Sequence, residues 1–318
     1  MEPLRRYSPA AIRPKLVLEV VAEMMEFADW PYRQVRMTLR DQGAEESFAF
    51  SLFGGAKPST VEEVARGDLD IAMLNPSSLL TMAYRGVGPF STAQLVRAVA
   101  VIPSADCLAF GVAERTGLRS FEDIRERRYP LRLSVRGSHD PAVRLLVDQV
   151  LACYGFSLDD IGRWGGHVSY DQELGGGPTR IGAFERGEIE AIFDEAIHGW
   201  VGRGAAAGMH FLVIDEPHMR DLEARGFRRG IILRNGHPPL AADVPTVDFS
   251  GWPIYTSVQA PDHAIRDFCM GLNARRDRLI LDGRGLPIEQ MVRDSPEGPL
   301  EVPLHPAAEQ CWRDLGYL

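Results

Sequence analysis

Two short segments of the sequence carry residue types that can bind a metal ion or transfer protons. His139 and Asp140 are adjacent, and Asp194, Glu195 and His198 follow further along the chain. If a helix begins at Asp194, that carboxylate and His198 share one helix face at i, i+4. Together the two segments suggest a divalent-metal site or a general acid–base pair, as in a decarboxylase or a hydrolase. A solvated, acidic helix start is the simpler explanation of the second segment.

Three loops at predicted helix starts offer hydrogen-bond donors to a small anion. They span residues 54–60, 75–78 and 137–140. A helix N-terminus presents unpaired N–H groups and a partial positive charge, which suit a carboxylate. Ordinary helix capping explains the same residues and is compatible with binding. The expected donors are Ser59, Thr60, Asn75, Ser77, Ser138 and His139.

Five side chains are candidates for the walls of a binding site or for its charge. Arg136 could pair with a carboxylate bidentately, or form a surface salt bridge. Trp252 and Tyr255 are expected as flat ligand shelves, although packing in the core or the hinge explains them as well. Asp194 and Glu195 are expected to set the charge preference, because two carboxylates repel an anion and favour an amine, a metal or a shared proton.

Composition excludes several classes of protein. The 318 residues suggest about two domains. A net charge of −9 argues against a nucleic-acid partner, which needs a basic surface. The four cysteines contain no CxxC pair, so neither a zinc finger nor a thioredoxin motif is expected. Motifs of serine hydrolases, zinc proteases, P-loop proteins and EF-hands are also missing from the sequence, which disfavours an enzyme.

The N-terminal segment bears on localisation. A secretory leader needs an uninterrupted apolar stretch, whereas Glu19, Glu23 and Glu26 interrupt this one. We therefore expect no export signal in the sequence as it stands. The localisation is left open between the cytoplasm and, if a leader was trimmed, the periplasm.

The elements that must position these residues alternate between strands and helices. An amphipathic helix is predicted over 14–30, buried strands over 70–74 and 189–193, and a long helix over 142–154. Asp215–His218 predicts a surface turn. This alternation is typical of an α/β protein with largely parallel sheets, in which ligands lie beyond the carboxyl ends of the strands.

Several stretches resemble periplasmic solute-binding proteins, namely 59–74, 120–142 and 184–196. Two others, Val244–Thr256 and Pro303–Tyr317, are similar to one branch, the TAXI solute receptors of TRAP-type tripartite transporters. The Leu-His-Pro-x-Ala-Glu run from Leu304 to Glu309 is the most specific of these stretches. The resemblance covers about residues 15–318.

This resemblance implies a two-lobe periplasmic-binding-protein fold of type II, with a hinge and an interlobe cleft. The first lobe would comprise residues 1–104 plus 245–318, and the second lobe residues 105–244. Such a protein clamps a small polar molecule, such as a carboxylate or an amino acid, by hinge closure and works with TRAP-type membrane subunits. The resemblance implies no cofactor and no catalytic residue. A cytoplasmic enzyme or ligand sensor on the same fold is the alternative, and it would use His139, Asp194, Glu195 and His198.

Overall fold

A computed structural model describes residues 9–27, 35–40, 49–54, 58–137, 141–281 and 283–318. The chain divides into two compact units, Met1–Arg33 and Gln34–Leu318. The first unit contains helix α1, Pro9–Phe27, which begins and ends earlier than the predicted helix over 14–30. None of the helices in the described residues combines the length and the apolar character needed to cross a membrane.

The second unit contains two five-stranded sheets, one for each lobe. In the first sheet the strand order is β1-β2-β3-β12-β4. Its strands are β1 Val35–Arg40, β2 Ala49–Gly54, β3 Ile71–Met73, β4 Val96–Ile102 and β12 Trp252–Ser257. In the second sheet the order is β7-β6-β8-β5-β9. Its strands are β5 Ala109–Ala113, β6 Arg132–Arg136, β7 His167–Asp171, β8 Ala191–Asp194 and β9 Met209–Phe211.

Helices and two small hairpins complete the second unit. The hairpins pair β10 Arg229–Ile232 with β11 Val244–Val247, and β13 Ile280–Leu281 with β14 Arg284–Gly285. The helices of the first lobe are α2 Ser59–Arg66, α3 Ser77–Arg85, α10 Asp262–Arg275, α11 Ile288–Met291 and α12 Pro306–Asp314. Those of the second lobe are α4 Phe121–Glu126, α5 Pro141–Cys153, α6 Leu158–Arg163, α7 Pro178–Glu185, α8 Val201–Ala206 and α9 Glu216–Ala224.

Both sheets are mixed, so the expectation of largely parallel sheets was wrong. In the first sheet β12 runs antiparallel to both of its neighbours, β3 and β4. In the second sheet β5 runs antiparallel to β8 and β9. The physical reason is the double crossing between the sheets. The chain enters β5 and β12 directly from the other lobe. Each of these two strands therefore runs antiparallel to its neighbours, whose preceding connections lie within its own lobe.

The two crossing segments lie side by side and form the hinge. The first segment follows β4, and the return segment precedes β12. Cys107 and Asp248 form an antiparallel bridge between them. The amide of Phe249 donates to the carbonyl of Asp106 (2.9 Å), and that of Gly251 donates to the carbonyl of Ser104 (3.0 Å). The α/β fold of two lobes joined by a hinge, expected from the sequence, is therefore confirmed.

Among the described residues of the second unit, the buried apolar side chains form three clusters. The largest extends from one face of the first sheet to one face of the second and includes Val61, Leu133 and Val247. The remaining two parts cover the opposite face of each sheet, around Ile192 in the second lobe and around Trp312 in the first. Side chains alternate between the two faces of a strand, which explains why adjacent strand residues belong to different parts of the core.

Candidate functional site

A cavity of about 640 Å³ lies where the chain leaves the first sheet for the second lobe. Met73 at the end of β3 and Ile102 at the end of β4 line it, and so does Ser104 of the first crossing segment. Trp252 lines it where the return segment enters β12, and His198 contributes from the second lobe. The cavity is therefore built from both lobes and from the hinge.

The polar lining of the cavity comes mainly from the chain after α10. Arg284 of β14 and the loop residue Glu297 both line the cavity. The side-chain amide of Gln290 donates to the Glu297 carboxylate at 2.9 Å and orients it. A cation and a carboxylate beside the Trp252 ring suit a small molecule with polar groups and an apolar portion, which is the usual composition of a ligand pocket.

His198 lies in a short turn after β8 and lines the cavity. The same turn forms hydrogen bonds with the first crossing segment. The ring of His198 stacks on that of His237, with a distance of 5.2 Å between the ring centroids. Burial, and next the neighbouring His198, lower the pKa of His237. The side chain of His237 is therefore expected to be neutral at pH 7, and it adds no positive charge behind His198.

A buried ion cluster lies next to this turn, at the carboxyl ends of β6 and β8. Asp194 is fully buried, and its carboxylate accepts hydrogen bonds from two guanidinium groups. Arg136 donates through Nε (3.3 Å) and Nη2 (3.1 Å). Arg180 donates to the same carboxylate through Nη1 and to the Ser134 hydroxyl through Nε (2.7 Å). With the amide of Glu195 as a fourth donor, the hydrogen-bonding capacity of Asp194 is filled.

Glu195 joins this cluster to the hinge. Its carboxylate accepts from Nη2 of Arg136 at 2.5 Å. Burial, and next the charge of Asp194, raise the pKa of Glu195 well above its usual range, and a hydrogen bond with Asp106 adds to this effect. Asp106 itself accepts from the amides of Ala196 (2.8 Å) and Ile197 (3.2 Å). The end of β8 is therefore tied to the first crossing segment.

These contacts change the interpretation of the acidic segment. Asp194 ends strand β8, and His198 lies in a 3-10 turn over Ile197–Gly199, so no helix begins at Asp194 and the expected i, i+4 face is not formed. Two cations already occupy the carboxylate of Asp194, which opposes its use as a metal ligand or general base. His139 and Asp140, the other half of that constellation, lie outside the described residues.

Of the two donors expected at the first helix start, neither caps the helix. Helix α2 has Pro58 at its N-cap and no side-chain cap, and Ser59 is exposed. Thr60 is buried, and its hydroxyl lies 2.6 Å from the hydroxyl of Tyr255. Tyr255 is itself fully buried in β12. In this structure Thr60 and Tyr255 thus pack in the interior of the first lobe, and a role for either in ligand contact stays a prediction.

Replacing Tyr255 by phenylalanine tests the role of this buried pair. We expect Y255F to lower the free energy of unfolding by about 1 kcal/mol, because it removes one buried hydrogen bond. Ligand affinity should not change, since the lost hydroxyl faces Thr60. Chemical denaturation measures the first effect and calorimetric titration the second. A change in affinity without a change in stability would return Tyr255 to the ligand site.

Residues at the second expected helix start donate hydrogen bonds to the return segment. The side-chain amide of Asn75 donates to the carbonyls of Phe249 (3.3 Å) and Gly251 (3.1 Å). The backbone amide of Ser77 donates to the carbonyl of Ser250 at 3.0 Å. The hydroxyl of Ser77 is buried and has no hydrogen-bond partner among the described residues. Ser138, expected as a donor at the third helix start, lies outside the described residues.

Trp252 and His198 are thus brought together in the cavity, and Arg136, Asp194 and Glu195 are brought together beside it. Sequence reasoning did not find Arg180 or Asp106. Arg180 lies in α7 beside the buried residues Ile181 and Phe184, and its own burial (1% exposed) is seen only in the structure. Asp106 lies beside the predicted lobe boundary at residues 104 and 105, but its acceptor role depends on the turn after β8, which is 90 residues away.

Comparison with known proteins gives similarity at the level of structure. No protein-family model matches the chain, and no curated protein matches it either. The alkanesulfonate-binding protein SsuA from Xanthomonas axonopodis pv. citri, bound to MOPS, is 16% identical, over 70% of this chain and 61% of its own, with a TM-score of 0.32. The chain thus spans less than two thirds of SsuA.

Two further solved structures are similar to this chain. A periplasmic transporter is 15% identical, over 82% of this chain and 80% of its own, with a TM-score of 0.36. The glycine/betaine/L-proline-binding protein ProX from Borrelia burgdorferi is 12% identical, over 67% of this chain and 66% of its own, with a TM-score of 0.37. At these identities the similarity concerns the fold.

Proposed function

We propose that this chain is a solute-binding protein that holds a small polar molecule between its two lobes. The observation that carries the proposal is the cavity at the hinge, which the first crossing segment and the start of β12 line and which His198 reaches from the second lobe. In this proposal the first lobe comprises residues 1–104 plus 245–318 and the second lobe residues 105–244. Ligand binding would favour the arrangement of the lobes in which His198 lines the cavity, as it does in this structure.

The proposal extends to the class of ligand and partner. The lining combines Arg284 and Glu297 with the Trp252 ring, a set that suits a carboxylate or an amino acid. The TAXI resemblance of the terminal Leu304–Glu309 run supports delivery of this ligand to TRAP-type membrane subunits. Solute-binding proteins are also found among the similar structures, SsuA and ProX among them.

A ligand screen by thermal shift tests the proposal. A protein that binds a ligand in its folded state gains stability with ligand concentration, about 2.7 kcal/mol at a hundred times Kd. We expect one ligand or a few related ones from a panel of carboxylates, amino acids and sulfonates to raise the melting temperature. That ligand should be recovered unchanged after incubation. Turnover of the ligand would point to an enzyme, and a panel without any shift would count against the proposed ligand class.

Replacing Trp252 by alanine should then weaken the binding of that ligand. An aromatic side chain in a pocket commonly contributes over 1 kcal/mol to binding, so we expect a loss of about tenfold or more in affinity. Calorimetric titration measures it. Trp164→Ala is the matched control, because Trp164 is also half-buried and packs on Phe156 in the second lobe. Equal losses in both variants would remove Trp252 from the site.

A further inference from the structure

Three side chains converge on the second lobe at a place that the proposed ligand site does not use. Glu122 belongs to α4, whereas Asp215 caps α9 and His218 lies in its first turn. Their potential ligand atoms all lie within 4.8 Å of one another. The sequence prediction of a surface turn over Asp215–His218 was wrong, because Asp215 begins a helix there and brings His218 round to face α4.

The group is compact enough for its three side chains to approach one ion. Nδ1 of His218 lies 2.7 Å from Oδ2 of Asp215 and 3.6 Å from Oε1 of Glu122. Zinc binds imidazole nitrogen and carboxylate oxygen at about 2.1 Å, which in a tetrahedral site separates the ligand atoms by about 3.4 Å. The two observed distances lie on either side of that value. The Glu122 distance is already close to this value, whereas the Asp215 and His218 ligand atoms would have to separate by about 0.7 Å to admit the ion.

Neighbouring groups hold the histidine ring and one carboxylate in place. The ring stacks on that of Tyr154, with a centroid distance of 3.8 Å and an interplanar angle of 22°. The Tyr154 hydroxyl donates to Oδ2 of Asp215 at 3.1 Å, while Oδ1 of Asp215 accepts from the amide of His218 at 3.2 Å. Metal ligands commonly have supporting contacts of this kind, which fix their orientation.

Charge also favours a bound cation. Two carboxylates face one imidazole nitrogen. An N–H group on that nitrogen can form a strong hydrogen bond with only one of them. A divalent ion would neutralise both. Arg125 on α4 does not do so in this structure, since its Nη1 donates to the carbonyl of Tyr154 and its Nη2 pairs with Glu126.

We propose that Glu122, Asp215 and His218 form a binding site for a divalent transition-metal ion of the zinc type. The histidine selects such an ion over magnesium or calcium, which prefer oxygen ligands alone. Water would complete the coordination, because all three side chains are partly exposed. The bound ion would fasten α4 to the start of α9, away from the cavity. This inference is independent of the proposed function.

Calorimetric titration of the untagged, chelator-treated full chain with zinc chloride at pH 7.5 tests the site. We expect one equivalent to bind, and cobalt(II) to give the visible absorption of a low-coordinate complex when it replaces zinc. His218→Gln and Glu122→Gln should each weaken binding by about tenfold or more. The matched controls His167→Gln and Glu188→Gln change an exposed histidine and an exposed glutamate of the same lobe and should bind as the wild type does.

Two further readouts keep the test decisive. Binding should weaken as the pH is lowered, because metal ligands bind in their deprotonated forms. Circular dichroism and the melting temperature without metal establish that H218Q is folded, and E122Q provides the result if it is not. An absence of zinc binding by the wild type, or undiminished binding by the folded His218 and Glu122 variants, would overturn the proposal.

Discussion

Replacing Arg180 by methionine is expected to lower the free energy of unfolding by about 3–5 kcal/mol, the range found when one partner of a buried ion pair is removed. Arg180 is 1% exposed, and Asp194, its partner, is fully buried. Methionine fills much of the same volume but leaves one side of the Asp194 carboxylate without a cation. Chemical denaturation at pH 7 measures the loss.

The matched control for this prediction is Arg203→Met. Arg203 also forms a two-pronged pair with a carboxylate of the second lobe, through distances of 2.7 and 2.8 Å to Glu185, but both side chains are exposed. Exposed pairs contribute about 0–1 kcal/mol. A loss below about 1 kcal/mol in R180M would mean that water reaches Asp194 and that the cluster is not dry.

The contrast between these two arginines shows why part of the site escaped sequence analysis. Both stand in short helices of the second lobe, and an isolated arginine in an amphipathic segment is usually solvated. Burial of Arg180 depends on Ser134, Asp194 and the carbonyl of Glu173, which come from three separate segments. The local sequence pattern does not show that these three groups come together around Arg180. Arg136 was found because it directly precedes a predicted helix start.

The helices and strands were easier to predict from the sequence than the site, because they follow local hydrophobic periodicity. The predicted helix over 142–154 corresponds to α5, Pro141–Cys153, and the predicted strand over 189–193 to β8, Ala191–Asp194. Strand direction was missed, since no residue in β12 or β5 records that its chain arrives from the other lobe. Trp252 was expected as a flat ligand shelf because of its aromatic ring, whereas Arg284 and Glu297, which complete the cavity, come from a hairpin and a loop without a recognisable motif.

The turn after β8 connects the buried cluster to the cavity. Asp194 and Glu195 lie in the cluster, the amides of Ala196 and Ile197 are held by Asp106, and His198 lines the cavity. Ala196 adopts a left-handed conformation (φ 56°) to make this turn. The position of His198 therefore depends on contacts with the crossing segment. The acidic pair expected to face the ligand acts in this structure on the hinge, and any direct effect on ligand charge stays a prediction.

Glu195→Gln is expected to remove a dependence of stability on pH. Burial and the charge of Asp194 raise the pKa of Glu195 in the folded state, whereas in the unfolded chain it ionises near about 4.3. As pH rises above that value the unfolded state releases its proton first, so the wild type loses stability until Glu195 itself ionises in the folded state. Glutamine keeps an acceptor for Arg136 and has no charge, so E195Q should show no such loss.

Denaturation curves of both proteins between pH 4 and pH 9 measure this difference. At pH 4 the two should be about equally stable, and at pH 8 E195Q should be more stable by about 1 kcal/mol or more, since each tenfold change in proton affinity corresponds to about 1.4 kcal/mol. Glu126→Gln, which removes an exposed carboxylate of α4, should follow the wild type at every pH. If E195Q were instead the less stable protein at pH 8, the Arg136 ion pair would outweigh burial, and Glu195 would be ionised in the folded hinge.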